Sequence, residues 1–374
     1  MRVPSLPVTV SRPIRARIDL AALRHNFGVA RRLAGKACLW AVIKANAYGH
    51  GQFPVAHALR DLADGYALLE IENAIALRER GHRQPILLLE GFFTPADLPA
   101  LARFDLTPVL HCRAQLDMLA ASSERPRRVY VKLNTGMNRL GFLPPELPEI
   151  LRALAALRIQ DVTLMSHFAA ADAPSPAEIA ASLARLREAN AEPRLPVSLA
   201  NSAALIRHPE SRGGAGDWAR PGIMLYGGSP FAPADRTAAQ LDLRPVMTLE
   251  SRLIGIQHPD AGERIGYGGL FQVEAPTRIG IVACGYADGY PRHAPTGTPI
   301  AVAGHMTRTL GRVSMDMLAC DLSGIAAEIG APVTLWGTGE GGQVDADAIA
   351  AAAGTIGYEL FCAVAPRVPM RWEG

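Results

Sequence analysis

The sequence predicts an α/β chain in which a closed (β/α)8 barrel of the TIM type is followed by a mostly β domain. Eight apolar runs of strand length alternate with segments of helical composition and period, which demands a parallel sheet covered by helices. No Gly-x-Gly-x-x-Gly opens a helix after the first of these runs, so a closed barrel fits better than an open doubly wound sheet. From about residue 246 the helical period disappears, and short β-rich runs separated by turn residues take its place.

Length and composition agree with two domains. The chain has 374 residues, too many for one ordinary core, with 49% hydrophobic and 20% charged residues and a formal net charge of +3. Those charges are interspersed, and the densest basic patch, Arg125-Pro126-Arg127-Arg128, reads as a solvated loop before a strand, which argues against nucleic acid as a partner. Cys38, Cys112, Cys284, Cys320 and Cys362 are odd in number and show no C-x-x-C spacing. Buried thiols in a reducing compartment fit them better than disulfides or zinc, and no metal site is expected. Residues 1–13 carry three prolines and no continuous apolar stretch of the signal-peptide kind, and no run approaches the ~20 residues of a membrane span. The expectation is a cytoplasmic enzyme that does not enter the membrane.

Taken in order, residues 15–20 alternate like a strand and give way to a helical pattern at 21–33. The eight apolar runs are residues 39–43, 66–69, 85–89, 106–110, 129–133, 162–165, 196–200 and 221–225. The expected boundaries are a barrel at 1–245, its strand-like start open to sharing with the second domain, and a β domain at 246–374. Within the latter, strands are expected at 246–256, 278–285, 299–303, 308–313, 318–322 and 332–336, with one helix at 345–353.

A barrel does its chemistry where strands end, and polar residues cluster there. Lys44 follows the run 39–43, Lys132 to Arg139 occupy the end of the fifth run and its loop, and His167 ends the sixth. Asn201 and Ser202 end the seventh, while Arg220, Gly222 and Ile223 are expected on the eighth strand. Burying Lys44 would lower its pKa and favour a free amine able to attack a carbonyl, although a lone strand-end lysine would equally snorkel to water. Ser202, with the backbone N–H groups of Gly222 and Ile223, offers donors suited to a phosphate, although Ala200-Asn201-Ser202-Ala203 alone reads as a helix cap.

The phrase Lys44-Ala45-Asn46-Ala47-Tyr48-Gly49-His50-Gly51 resembles the pyridoxal-phosphate (PLP) attachment segment of alanine racemases. The similarity recurs, in the family's order, at Val131-Lys132-Leu133-Asn134-Thr135-Gly136-Met137-Asn138-Arg139-Leu140-Gly141, at Ala200-Asn201-Ser202 and at Arg220-Pro221-Gly222-Ile223-Met224-Leu225-Tyr226-Gly227. It continues at Cys284-Gly285-Tyr286-Ala287-Asp288-Gly289-Tyr290 and at Gly311-Arg312-Val313-Ser314-Met315-Asp316.

The resemblance implies a PLP-dependent enzyme that interconverts L- and D-alanine and supplies D-alanine for cell-wall peptidoglycan. Lys44 would hold the cofactor and serve as one base, with Tyr286 as the other. Tyr48, Asn201, Ser202, Gly222 and Ile223 would bind the cofactor, chiefly at its phosphate. Arg220 would face the pyridine nitrogen, where a permanent cation weakens the ring as an electron sink and so suits proton transfer over decarboxylation. His167 would lie between Tyr286 and Arg220. Arg139 would reach the cofactor's phenolic oxygen and the substrate, oriented by a carbamylated Lys132, and the Met315 N–H would bind the substrate carboxylate. In the family Tyr286 and the Met315-Asp316 segment come from the partner subunit, so a homodimer with shared sites is implied. Two departures stand out: Asn134 where members commonly carry aspartate, and Pro366 where several relatives carry a phosphate-binding tyrosine. The rival readings are a racemase of broader specificity, a decarboxylase of the same general fold, and a noncatalytic PLP-binding protein built from a single barrel.

Overall fold

The structure, a computed structural model, describes residues 11–175, 177–192 and 194–374; the N-terminal stretch read above lies, at residues 1–10, outside the described residues. The chain divides into two compact units, one formed by Leu23–Tyr226 and Ala238–Leu243, the other by residues 11–22, Gly227–Thr237 and Arg244–Gly374.

The first described strand, β1 (Arg15–Asp19), belongs to the second of these units. In the first unit, among the described residues, eight parallel strands close into a barrel. They are β2 (Cys38–Val42), β3 (Gly65–Leu68), β4 (Ile86–Leu88), β5 (Leu106–Leu110), β6 (Arg128–Lys132), β7 (Asp161–Met165), β8 (Val197–Ser198) and β9 (Trp218–Ala219). Each pairs with the next, and β9 closes the ring on β2 through Cys38 opposite Trp218 and Leu39 opposite Ala219. Burial explains the apolar runs: β4 and β5 are buried at every position, as expected for strands with a core on one face and helices on the other.

Inside the barrel, Trp40 stacks on Trp218 with ring centroids 4.1 Å apart, and its indole N–H donates to the Tyr130 hydroxyl at 3.2 Å. Gly65 on the neighbouring strand makes room for it, because a Cβ there would lie 2.3 Å from the Trp40 ring.

The eighth strand differs from the sequence expectation. It occupies Trp218–Ala219, and the apolar run expected as a strand at 221–225 instead turns into a 3-10 helix at Ile223–Tyr226. Ile223, Met224, Leu225 and Tyr226 are all fully buried, and a short run buried on every side carries no period that separates strand from helical turn. Pro221 lacks the N–H a ladder needs, and its carbonyl accepts from Val42 N–H at 3.3 Å as the chain leaves the sheet.

The second unit is built on β10 (Met247–Gln257), which pairs with β1, with β13 (Ile279–Val282) and with β17 (Pro332–Gly339). With β14 (Pro299–Val302), β15 (His305–Leu310) and β16 (Leu318–Asp321) these complete an antiparallel ring of pairings. The strands fall near where the turn signals put them, except that the one expected at 308–313 lies at His305–Leu310. A small hairpin, β11 (Arg264–Ile265) with β12 (Phe271–Gln272), and the edge strands β18 (Gly342–Val344) and β19 (Met370–Glu373) were not legible; β19 pairs in parallel with β1. The expected helix forms at Ala346–Ala352, capped by the Asp345 carboxylate, and a further helix follows at Gly357–Ala363.

A methyl group at Gly65 tests the packing of the barrel core. Gly65→Ala should destabilise the protein by about 1–3 kcal/mol through overpacking against Trp40. Thermal unfolding should show a Tm lower by several degrees, and a Tm equal to that of the parent would mean the core is looser than described.

Candidate active site

Lys44 stands one residue beyond a fully buried Ile43 at the C-terminal end of β2, at the barrel mouth. The turn that follows is left-handed: Ala45, Asn46, Ala47 and Tyr48 have φ of 52°, 52°, 55° and 53°. Such backbone costs roughly 1–2 kcal/mol per non-glycine residue, so neighbours must hold it. Gly49 N–H bonds back to Ala45 O and Gly51 N–H to Asn46 O, each at 3.0 Å. The Asn46 side chain accepts from Gln52 N–H at 2.9 Å. The buried His50 ring donates through Nδ1 toward the Tyr48 carbonyl at 2.8 Å, and burial lowers its pKa to about 4, so the ring is neutral.

Tyr226, at the end of the 3-10 turn, ties this strained loop to the segment that follows β9, the strand next to β2 in the ring. Its ring stacks on Tyr48 at 4.8 Å and lies 4.6 Å from His50, while its hydroxyl donates to Val42 O at 2.8 Å. The Tyr48 hydroxyl is thereby brought against Gly222, where a Cβ would stand only 2.5 Å from the phenolic oxygen. Ser202 Oγ accepts from Gly222 N–H at 2.9 Å and faces Met224 N–H at 3.4 Å. Tyr48, Ser202, Gly222 and the start of the Ile223 turn thus converge on one donor-rich cradle. Asn201 sits beside it with its Oδ1 capping the helix Ser202–Arg207 through Ala204 N–H.

Arg220 is buried beneath this rim. Its Nη1 donates to Ser198 Oγ at 2.7 Å, and Nη2 to Ser166 O at 2.7 Å, to Leu199 O at 3.1 Å and toward His167 Nδ1 at 3.3 Å. Among the described residues nothing accepts from Nε, and all the bonded partners are neutral. Burial lowers the guanidinium pKa to about 10, which still leaves it charged at neutral pH. His167 is held neutral, its pKa lowered to about 2 by burial first and then by Arg220, Lys132, Arg139 and Lys44.

Of the three lysines in the chain, Lys36, Lys44 and Lys132, two are therefore within electrostatic reach of His167. Lys132 is buried at the end of β6, and its pKa falls to about 8 through burial, Arg220, Arg139 and Lys44, against the pull of Glu90. Arg139 lies on the exposed loop beyond, in a small cleft that Lys132 and His167 also line. Asn134 shapes that loop by accepting from Gly136 N–H at 3.2 Å and Asn138 N–H at 3.0 Å.

Tyr286 and Met315 belong to the β unit, where they lie on adjoining loops. Tyr286 N–H donates to Ser314 O and Ala287 N–H to Met315 O, both at 3.0 Å. Gly285 permits this approach, since a Cβ would stand 2.3 Å from Met315 O. Both side chains reach the surface, Tyr286 at 36% and Met315 at 52% exposure. Beneath them the fully buried Asp288 carboxylate meets Arg12 and Arg367, and Arg367 continues to Asp316 Oδ1 at 2.7 Å. The sequence motifs assign a role to Asp316 but none to Arg12, Asp288, Arg367 or Tyr226. The signal for Asp288 was its place two residues after Tyr286; Arg12 lies too far away in the chain for any pattern to connect them.

The chain is similar to known proteins along nearly its whole length. A sequence model described as alanine racemase, N-terminal domain, matches residues 18–230, and one described as alanine racemase, C-terminal domain, matches residues 246–372. An alanine racemase of Nitrosomonas europaea is 52% identical over 366 residues, covering 96% of this chain and 98% of that protein. A catabolic alanine racemase of Salmonella typhimurium is 51% identical over 363 residues, covering 96% and 99%. The crystal structure of the biosynthetic alanine racemase from Pseudomonas aeruginosa superposes with a TM-score of 0.91 at 43% identity, covering 97% of this chain and 100% of that one.

With so few lysines, the cationic setting of Lys132 can be read directly in the protein labelled with 13C-lysine. Burial and neighbouring cations both disfavour its ammonium form, so its NMR resonance should titrate near pH 8, and Arg139→Gln should raise that midpoint. A midpoint at the ordinary 10.5, unmoved by Arg139→Gln, would contradict the arrangement.

Proposed function

The chain belongs to the alanine racemase family, and from that premise we propose that it interconverts L- and D-alanine by a two-base proton transfer at the barrel mouth, with PLP held by Lys44. The observation that carries this reading is the cradle formed by Tyr48, Ser202, Gly222 and Ile223 beside the strand-end lysine. A phosphate dianion needs several donors converging on it, and the lack of a Cβ at Gly222 is what lets the Tyr48 hydroxyl approach there. The residues present therefore fit the cofactor, with Asn201 fixing the helix on which Ser202 stands. When bound, PLP supplies an electron-withdrawing ring that acidifies the Cα–H of the amino acid joined to it.

The protein's own groups then decide what happens to that proton. Lys44 would hold the cofactor and carry the proton on one face. Arg220, its Nη groups saturated by neutral acceptors, would supply a permanent cation that keeps the cofactor's ring nitrogen unprotonated, which disfavours decarboxylation and transamination. Tyr286 of the partner subunit carries the proton on the other face. An unassisted phenol near pKa 10 is a weak base, so His167, neutral and bonded to Arg220, polarises it through a hydrogen-bonded chain. Arg139 and the Met315 N–H of the partner subunit would hold the substrate carboxylate. Lys132, partly free amine near pH 8, orients Arg139.

A homodimer with shared sites follows from the same reading. Tyr286 and Met315 are exposed on adjoining loops of the β unit, as are the nearby Met317 side chain and, in the hairpin next to Gly311, Tyr267 and Leu270, a surface suited to burial against a second copy. Among the described residues no helix is long and apolar enough to cross a membrane. The proposed role is cytoplasmic supply of D-alanine for peptidoglycan.

Two variants separate the roles. Lys44→Ala should lose the visible absorbance of the bound cofactor together with all turnover. Tyr286→Phe should keep the absorbance and lose racemisation by at least about 10²-fold, the usual scale for removing a general acid–base group. Full activity in Tyr286→Phe, measured by chiral chromatography of the product, would refute the two-base assignment.

A further inference from the structure

Asp288 has the geometry of a device rather than of a surface ion pair. It is fully buried, and four donors close on its two oxygens. Oδ1 accepts from Arg12 Nη1 at 2.5 Å and Arg367 Nε at 2.8 Å; Oδ2 accepts from Arg12 Nη2 and from Gly285 N–H, each at 2.9 Å. Both arginines then reach past it to the second loop, Arg12 Nη2 to Asp316 O at 2.6 Å and Arg367 Nη2 to Asp316 Oδ1 at 2.7 Å. The Asp288 carbonyl takes Ala365 N–H at 3.1 Å. One carboxylate therefore gathers residue 12, the turn Tyr286–Asp288, the loop through Met315 and Asp316, and the chain at 365–367. Burial opposes its ionisation, but the arginine and backbone hydrogen bonds outweigh that and hold it below the ordinary carboxylate range.

A bidentate guanidinium on a carboxylate fixes direction as well as distance. Tyr286 begins the turn that Asp288 ends, so any slack in this cluster displaces the phenol relative to Met315. We propose that Asp288, bridged by Arg12 and Arg367 to Asp316, is a positioning residue that sets the Tyr286 hydroxyl in register with the Met315 segment for proton transfer. This rests on the assignment of Tyr286 as the second base.

L- and D-alanine have equal free energy, so kcat/KM in the two directions must fall together in any variant. The discriminating readout is the isotope effect of deuterium at Cα, measured on each enantiomer. Asp288→Asn should keep the cofactor absorbance and lower kcat/KM by about 10²-fold, the cost of a misplacement near 1 Å. The isotope effect should rise for the one enantiomer whose proton Tyr286 handles and not for the other. Arg367→Gln, on a more exposed side chain, should show the same asymmetry with a smaller loss, and serves if Asp288→Asn does not fold. Isotope effects equal to the parent's for both enantiomers, with activity lost only in proportion to unfolded protein, would reduce Asp288 to a stabilising group and overturn the proposal. Tyr286→Phe in the same assay keeps the failures apart: if it is inactive while Asp288→Asn shows no asymmetry, the positioning role alone fails, whereas full activity in Tyr286→Phe removes the base assignment and this proposal with it.

Discussion

The left-handed turn from Ala45 to Tyr48 is the constraint on which the barrel site depends. A strand delivers Lys44 to the rim, and a right-handed continuation would carry the next residues onward over the barrel. The reversed turn instead folds Tyr48 back, so that its phenol meets Gly222 and its ring lies on Tyr226. Three of its four residues have no preference for positive φ, so the turn persists only because its surroundings over-determine it. His50, neutral and bonded to the turn's own carbonyls, Asn46 accepting from Gln52 N–H, and Tyr226 bonded to Val42 O supply that restraint. Backbone strain of this kind is tolerated where it aims a functional side chain.

Two buried charge clusters solve the desolvation problem in opposite ways. At the barrel rim, cations accumulate around Arg220, whose bonded partners are a hydroxyl, carbonyls and a neutral imidazole. The consequence is depressed pKa values in Lys132 and His167 and an unmet demand for negative charge, which the proposed anionic cofactor and amino-acid carboxylate would satisfy. In the β unit an anion is buried instead, and two arginines with a backbone N–H saturate Asp288 completely. The first cluster is built to receive a ligand and the second to hold loops still; pairing in the folded chain is what tells them apart.

Most of the architecture could be read from the sequence, because its signals are local. Apolar runs between helical periods gave the barrel, and turn residues gave the strands of the β unit. The eighth barrel strand was misplaced because total burial erases the alternation that separates strand from helical turn, and Trp218–Ala219 is too short to leave a pattern. The dyad of Lys44 and Tyr48 was visible through a motif, but the handedness of the turn joining them was not, since Ala-Asn-Ala-Tyr carries no glycine to announce it. Arg12 and Arg367 escaped notice because they are joined to Asp288 across separations of 276 and 79 residues, and nothing in one sequence reports such pairing.

The claim that the Tyr48–Ser202–Gly222 cradle is the anchor of the cofactor phosphate can be measured without turnover. Gly222→Ala places a methyl where the Tyr48 hydroxyl stands, and equilibrium titration followed by visible absorbance should show PLP bound at least about tenfold more weakly, a cost of ~1.4 kcal/mol. Pyridoxal, which lacks the phosphate, should bind parent and variant alike. Equal affinity of parent and Gly222→Ala for PLP would contradict the account.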